Sequence, residues 1–340
     1  MKVLVTGGAG FVGSNLVKKL AQEKVVDKVL VLDLITYAGN LRNLEDIDPG
    51  KIKLIIGDVS NGQLMENIVE EVDFIFHLAA ETHVTRSIYD NHQFFQTDVM
   101  GTQAICNAAL KYSTRRSCDI PFIHVSTSEV YGTAESKLMD ETHPLNPCSP
   151  YAAAKAGADR LVYSYGRTYG LNSLIIRPFN QFGPHQHPEK LIPRFITNCM
   201  SQEPMIIHGN GDASRDWTHV DDTTNWLKDL IHKDISKFKA EVFNIGAGKS
   251  HSIKEISELV KPFFPNSTTD AVAERPGQVS RHTCDSSKAK KLLEWEPKLN
   301  LDSSIESVIN WYKENIHVWD TQLLTKNVEI EITPGKKIFH

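Results

Sequence analysis

Lys2-Val3-Leu4-Val5-Thr6-Gly7-Gly8-Ala9-Gly10-Phe11-Val12-Gly13 is the stretch on which the fold turns. An apolar run ending in glycines at 7, 10 and 13, followed by a helical stretch near Ser14–Glu23, predicts a strand, a tight turn and a helix. Such a turn lets the backbone approach a pyrophosphate closely and aims a helix N-terminus at it, where free N–H groups and the helix dipole favour an anion. Gly7, Gly10, Phe11, Val12 and Gly13 are the candidate contacts. Asp33 ends the next apolar run, twenty residues after Gly13, where an acidic side chain can accept hydrogen bonds from ribose hydroxyls. That carboxylate repels a 2′-phosphate, and Leu34-Ile35-Thr36-Tyr37 brings no Arg or Lys, so NAD is expected rather than NADP. Asp58, after Ile55-Ile56-Gly57, is a candidate for the adenine, with a solvated strand-end cap as its plain alternative. Ala79 completes the set.

Outward from this turn, apolar runs at Val3–Thr6, Lys28–Leu32, Ile52–Ile56, Phe74–Leu78 and Phe122–Ser126 alternate with helical stretches. Alternation of this kind predicts an α/β fold, a Rossmann-type doubly wound parallel sheet. Leu174–Arg177 and Val242–Ile245 read as later strands of the same sheet. From about Asn180 the alternation loosens into Gly- and Pro-rich loops with helices at Leu191–Ser201, Ser252–Val260 and Ile305–Trp311, which predicts a smaller, mixed α/β substrate-binding lobe. The expected division is 1–180 with a returning strand at 240–247, then 181–239 and 248–322 in the second lobe, and a tail at 323–340 with weak strand signals.

The 340 residues are 41% apolar and 23% charged, the composition of an ordinary globular protein. Net charge is −5 and the basic residues are scattered, so no nucleic-acid surface is expected and a bound anion must meet a local cluster. Cys106, Cys118, Cys148, Cys199 and Cys284 are odd in number and widely spaced, which fits reduced thiols in a cytoplasmic protein. The chain enters a strand without a charged leader, and no apolar run approaches the roughly 20 residues of a membrane helix. His83, His185 and His187 stand at no metal-ligand spacing with an acidic or cysteine set, so they read as solvated loop histidines and no metal is expected.

Chemistry is carried by Ser126-Thr127-Ser128-Glu129-Val130-Tyr131-Gly132 and, downstream, Ser149-Pro150-Tyr151-Ala152-Ala153-Ala154-Lys155. Ser149-Pro150 is a plausible helix start, and Tyr151 and Lys155, four apart, then share one helical face. A phenol ordinarily titrates near pH 10, but a nearby ammonium and a nicotinamide cation both stabilise the phenolate. Tyr151 can then take a hydroxyl proton, with Lys155 on the nicotinamide ribose and Thr127 sharing the substrate hydroxyl. Glu129 adds a carboxylate able to remove a C–H proton beside a newly formed ketone, so oxidation reads as the first step of a lyase or epimerase cycle.

Leu32–Leu44, His77–Ile88, Ser149–Lys155, Arg177–Ile196, Arg215–Asp222 and Arg275–Gly277 carry a resemblance that runs from residue 1 to about residue 315. The chain resembles the extended short-chain dehydrogenases/reductases and, within them, the nucleotide-sugar 4,6-dehydratases of the dTDP-glucose type. The glycine turn and the Tyr/Lys pair are superfamily-wide, whereas Tyr37-Ala38-Gly39-Asn40 and Pro188-Glu189-Lys190-Leu191-Ile192-Pro193 are specific to the dehydratase branch. The resemblance implies a cycle without net redox change: C4 of the hexose is oxidised, C5 is deprotonated, water leaves from C6, and hydride returns to C6. It implies Thr127, Ser128, Glu129, Tyr151 and Lys155 as catalytic residues, and Glu81, Thr82, Asn180, Lys190, Leu191, Arg215 and Arg275 as contacts to a nucleotide-sugar substrate. The arginines and the Asn180 amide would meet the diphosphate.

Three departures stand out. The dTDP-glucose enzymes have Asp, the acid for the departing hydroxyl, where this chain has Ser128. Thr-Ser-Glu also occurs in GDP-mannose 4,6-dehydratases and in UDP-glucuronate decarboxylases, so Ser128 fits dehydration or decarboxylation, and the Pro188–Pro193 segment favours dehydration. Asp98 stands where the family usually has Asn, and His282 where many dehydratases have Tyr. A nucleotide-sugar 4-epimerase or uronate decarboxylase is the second reading and a non-catalytic NAD-binding protein the third. The helices near His92–Tyr112 and Tyr151–Tyr169 match those that form a four-helix bundle across a two-fold in the family, so a homodimer is expected.

Overall fold

The computed structural model describes residues 1–274, 277–319, 329–333 and 336–339. Seven parallel strands form the central sheet: β1 (Lys2–Thr6), β2 (Lys28–Asp33), β3 (Ile52–Ile56), β4 (Phe74–His77), β5 (Phe122–Val125), β6 (Ser173–Pro178) and, after three short strands elsewhere, β10 (Glu241–Ile245). Their order is β10-β6-β5-β4-β1-β2-β3, so the winding reverses between β1 and β4 and opens a crevice at the carboxyl ends there. Every strand predicted for the sheet is present in it. Val3 and Val5 pack on one face against Leu16, Val17 and Leu20 of the Phe11–Gln22 helix. Leu4 packs on the other face with Met65, Ile68 and Ile105. Burial on both faces accounts for the apolar runs without alternation in the inner strands, while β3 at the sheet edge is partly exposed.

The chain leaves the sheet abruptly after Pro178: β7 (Asn180–Phe182) pairs instead with β9 (Ser214–His219), which pairs with β11 (Ser250–Ser252). A second small sheet joins β8 (Met205–His208) to β12 (Thr269–Val272). A separate core lies under these sheets, where Phe195 and Ile196 of the Leu191–Met200 helix meet Trp217, Ile256 and the apolar stripe Ile305, Val308, Ile309 and Tyr312 of the Leu301–Asn315 helix. Short strands without strict alternation leave β7, β8, β9, β11 and β12 outside the sequence prediction. In the tail, β13 (Glu329–Thr333) and β14 (Lys336–Phe339) form an antiparallel hairpin.

Candidate active site

One cleft of about 470 Å³ runs from the glycine turn to the small sheets. It is lined by every candidate site residue except Arg275, which lies outside the described residues. At one end Gly7, at φ +68°, lies so close to the residue 78–79 backbone that a Cβ would fall 2.8 Å from Ala79 N, and a Cβ on Gly13 would sit 2.1 Å from Gly7 O. The Phe11–Gln22 helix begins at Gly10 without a side-chain cap, leaving its first N–H groups for a ligand. Asp33 accepts from Ala9 N at 2.9 Å and Ile35 N at 2.8 Å, so its carboxylate is fixed to the turn it serves. Burial raises this carboxyl above its ordinary value while those N–H groups hold it down. Asp58 bonds Ser60 N at 2.7 Å, so it caps its own loop and faces the cleft at once. A snug glycine cradle, a helix terminus and an acidic strand end fit a dinucleotide.

Midway, Ser149 caps the Pro150–Tyr169 helix as expected, its Oγ accepting from Ala152 N at 3.2 Å. Tyr151 is buried and hydrogen-bonded to Thr127. Burial pushes the Tyr151 phenol up, the Thr127 hydrogen bond opposes this, and Asp98 and Glu129 add to the rise. Lys155, buried four residues on, donates to Val125 O at 2.9 Å. Burial lowers its ammonium, with Asp98 and Asp159 opposing. Behind them Asp159 holds Arg177 through two bonds of 2.8 Å, and Arg177 donates to Tyr131 OH at 2.8 Å. This buried pair ties the helix to the Ser128–Tyr131 turn and thereby fixes Glu129 relative to Tyr151.

Asp98 sits in a π-helical stretch, Phe95–Gly101, and takes over the acceptor function expected of Asn, receiving Glu81 N at 2.9 Å. Burial pushes its carboxyl up to about 7, with Lys155 the chief opposing influence. Such widened turns recur at functional sites.

At the far end Arg215 is a strand residue of β9, buried, and not in the loop context expected of it. Its Nη1 donates to Val279 O at 2.8 Å and its Nε stands 3.6 Å from Glu129 Oε1. Asn180 starts β7 at the point where the chain leaves the large sheet. Lys190 donates to Thr82 O at 2.8 Å, joining two predicted substrate contacts. Next to it the Glu189 side chain is fully buried among Tyr37 OH at 3.1 Å, Lys190 Nζ at 3.3 Å, His83 Nε2 at 3.5 Å and Arg86 Nε at 3.6 Å. Burial pushes the Glu189 carboxyl up, but the cations around it outweigh that and hold it down to about 2.

His83, His185 and His187 are buried, which corrects their reading as solvated. The Gly183–Lys190 loop packs on the N-terminal half, where His185 reaches Asn43 Oδ1 at 2.9 Å and His187 lies edge-on to Tyr37. Trp217 and His251, delivered by a distant small sheet, and Gln278, from a loop, also line the cleft wall, and nothing local in the sequence marks them.

The GDP-mannose 4,6 dehydratase family model matches residues 4–308. The chain belongs to that family. A dTDP-glucose 4,6-dehydratase from Streptomyces antibioticus is 38% identical over 327 residues, covering 94% of this chain and 95% of the relative. The low-salt glycan biosynthesis protein Agl12 of Haloferax volcanii is 40% identical, covering 92% and 98%. Among solved structures, the dTDP-glucose 4,6-dehydratase DesIV of Streptomyces venezuelae, with NAD bound, superposes with a TM-score of 0.88 at 36% identity, over 95% of this chain and all of that one. The UDP-glucose 4-epimerase of Thermotoga maritima, with UDP-glucose, gives 0.84 at 28% identity, over 93% and 100%. The cofactor of this dehydratase family is NAD, as the glycine turn and Asp33 led us to expect.

Proposed function

We propose that this enzyme, an NAD-dependent nucleotide-sugar 4,6-dehydratase, works through Thr127, Ser128, Glu129, Tyr151 and Lys155 on a hexose whose nucleotide diphosphate is of the dTDP or UDP type. The observation that carries this is the gathering of Glu129 with the Thr127–Tyr151 hydrogen bond and Lys155 in one cleft, between the dinucleotide cradle and Arg215. Bound NAD supplies the acceptor for the C4 hydrogen, the same hydrogen for C6 later, and a positive ring that favours the phenolate.

Thr127 and Tyr151 grip the C4 hydroxyl, and Tyr151 takes its proton. Lys155 sits on the carbonyl that ends β5 and presents its positive charge at the floor of the cleft. Glu129, steadied by Arg215, removes the C5 proton once C4 is a ketone, because the electron pair left at C5 is delocalised into that carbonyl. The pair then expels the C6 oxygen. Arg215, Asn180 and Arg275 are the proposed diphosphate contacts, Glu81 and Thr82 face the hexose, and Lys190 and Leu191 line the channel; the segments 181–239 and 248–322 together select the substrate.

Incubation with dTDP-glucose, UDP-glucose and UDP-glucuronate, followed by mass analysis, tests the assignment. Loss of water is expected from a glucose nucleotide; loss of carbon dioxide, or an isomer of unchanged mass, overturns it in favour of decarboxylation or epimerisation. Glu129→Gln is expected to reduce water loss by about 10²–10⁴-fold, the usual range for a general base. We further propose a homodimer, supported by the exposed Phe95 and Met100 in the stretch expected to pair. A sedimentation mass of one chain refutes it. The five cysteines, none bridged to another, support a reducing, cytoplasmic setting.

A further inference from the structure

Ser128 lines the cleft beside Glu129, and its Oγ lies 3.2 Å from Nδ1 of His282. His282 comes from a segment 154 residues away and is fully buried. Its Nε2 lies 2.8 Å from Gly132 O. A carbonyl only accepts, so Nε2 carries the ring hydrogen, Nδ1 is the acceptor of the neutral imidazole, and the Ser128 hydroxyl donates to it. The same Nδ1 lies 4.0 Å from Glu129 Oε1. One ring nitrogen therefore lies within reach of both the carboxylate and the hydroxyl of a residue that lines the cleft. Burial, opposed by Glu129 and reinforced by Arg215, holds the ring down to about 4. It rests neutral at physiological pH and, once protonated, is a strong acid.

Building on the reading of Glu129 as the base at C5, we propose that Ser128 and His282 form the path that returns the C5 proton to the departing C6 oxygen. Glu129 takes the proton from C5 and leaves the electron pair delocalised into the C4 carbonyl; in a second step that pair forms the C5–C6 double bond as the C6–O bond breaks. The Glu129 carboxylic acid passes its proton to Nδ1 while the Ser128 hydroxyl turns toward the leaving oxygen. Oγ gives that oxygen its proton and takes the one on Nδ1. Carboxylate, hydroxyl and neutral ring are all restored, and water departs. The proton that C5 later receives is the one released from the C4 hydroxyl or its equivalent from solvent, so the count closes. Nε2 stays on Gly132 O throughout and keeps the ring aimed. An aliphatic hydroxyl alone is too weak an acid for this task, and the imidazole behind it supplies what it lacks.

The test uses the full-length enzyme with dTDP-glucose in heavy water. It reads two quantities: deuterium at C5 of recovered substrate, which reports C4 oxidation and Glu129 action, and water loss. Ser128→Ala and His282→Asn are each expected to slow water loss about 100-fold or more while C5 exchange stays within about threefold. Ser128→Asp in the His282→Asn background is expected to restore water loss, because a carboxylic acid donates directly. Wild-type water loss in Ser128→Ala overturns the path. So does a parallel fall of exchange and water loss in that variant, which would reduce the pair to positioning Glu129. If His282→Asn does not fold, Ser128→Ala decides alone. Persistent C5 exchange in Glu129→Gln strikes the assignment of the base itself, an outcome separate from either.

Discussion

At the cofactor end of the cleft Asp33 is held by backbone N–H groups of Ala9 and Ile35, both within its own strand–turn–helix unit or directly after it. At the substrate end Glu189 is held by side chains of Tyr37, His83, Arg86 and Lys190, drawn from three stretches of chain. Both arrangements compensate a carboxylate inside the protein, but the first needs only local geometry and the second needs the two halves docked. The first end should therefore fail only with the whole fold, and the second by local opening.

Acid offers the largest contrast. His185 and His187 in the docked loop are both held down to about 4 by burial, against an ordinary imidazole near 6.5. At neutral pH both the folded and the open loop leave these rings uncharged, so the contacts are at full strength. As pH falls below about 6.5 the open form takes up protons that the docked form refuses, and stability drains until about pH 4, where the docked form protonates too. Each ring can contribute up to about 3 kcal/mol to this loss. His77, within the sheet and held down to about 3, cannot be reached by opening a loop. Hydrogen exchange corrected for intrinsic rates should show amides of Gly183–Lys190 opening at pH 5 while β1 and β4 stay protected. Equal loss in both regions breaks the contrast.

Mutation of the two carboxylate settings is next in size. Glu189→Ala takes a fully buried carboxylate away from the half-buried Arg86 and Lys190, which keep Glu81 as a neighbouring charge, and strips the Tyr37 hydroxyl of its acceptor, so it costs about 1–3 kcal/mol. Denaturant unfolding should register that loss together with weakened substrate binding, while NAD affinity is spared. Gly13→Ala does the reverse. Its Cβ would overlap Gly7 O at 2.1 Å, and overpacking against backbone costs about 3 kcal/mol. Titration with NAD should show the affinity lost. A Gly13→Ala variant that binds NAD normally removes the cradle from the account.

The same contrast explains what can be read from the sequence. The parallel sheet, Asp33, the Ser149 cap and the Tyr151/Lys155 pair are legible because each is signalled within a short stretch: unbroken apolar runs, an acidic residue at a strand end, a capping serine before proline, and a four-residue spacing on one helix. The setting of Glu189, Trp217 and the burial of His83, His185 and His187 are not, since only docking of distant segments defines them. Arg215 reads as a loop residue because β9 is short and polar with Trp217 its one apolar residue, yet it folds as a buried strand. Ser128 and His282 each stand out in the sequence as departures, but their meeting across the turn is a fact of three dimensions.

Asp98 tests the boundary between the two kinds of site, because it belongs to a local helix yet charges the reacting groups. Its Oδ1 accepts from Glu81 N, a bond that the side-chain carbonyl of an asparagine would make equally well, so Asp98→Asn should leave stability within about 0.5 kcal/mol. Its charge is what changes. The carboxylate raises the Tyr151 phenol and supports the Lys155 ammonium. Removing it lowers both, and the lower phenol loses its proton at lower pH, so the rising limb of kcat/KM should move toward acid. The displacement should be less than about one pH unit, since a carboxyl titrating near 7 carries only part of its charge when the enzyme works. A limb that moves toward alkali, or an unfolding midpoint that falls sharply, would mean that the aspartate serves the helix and not the chemistry beside it.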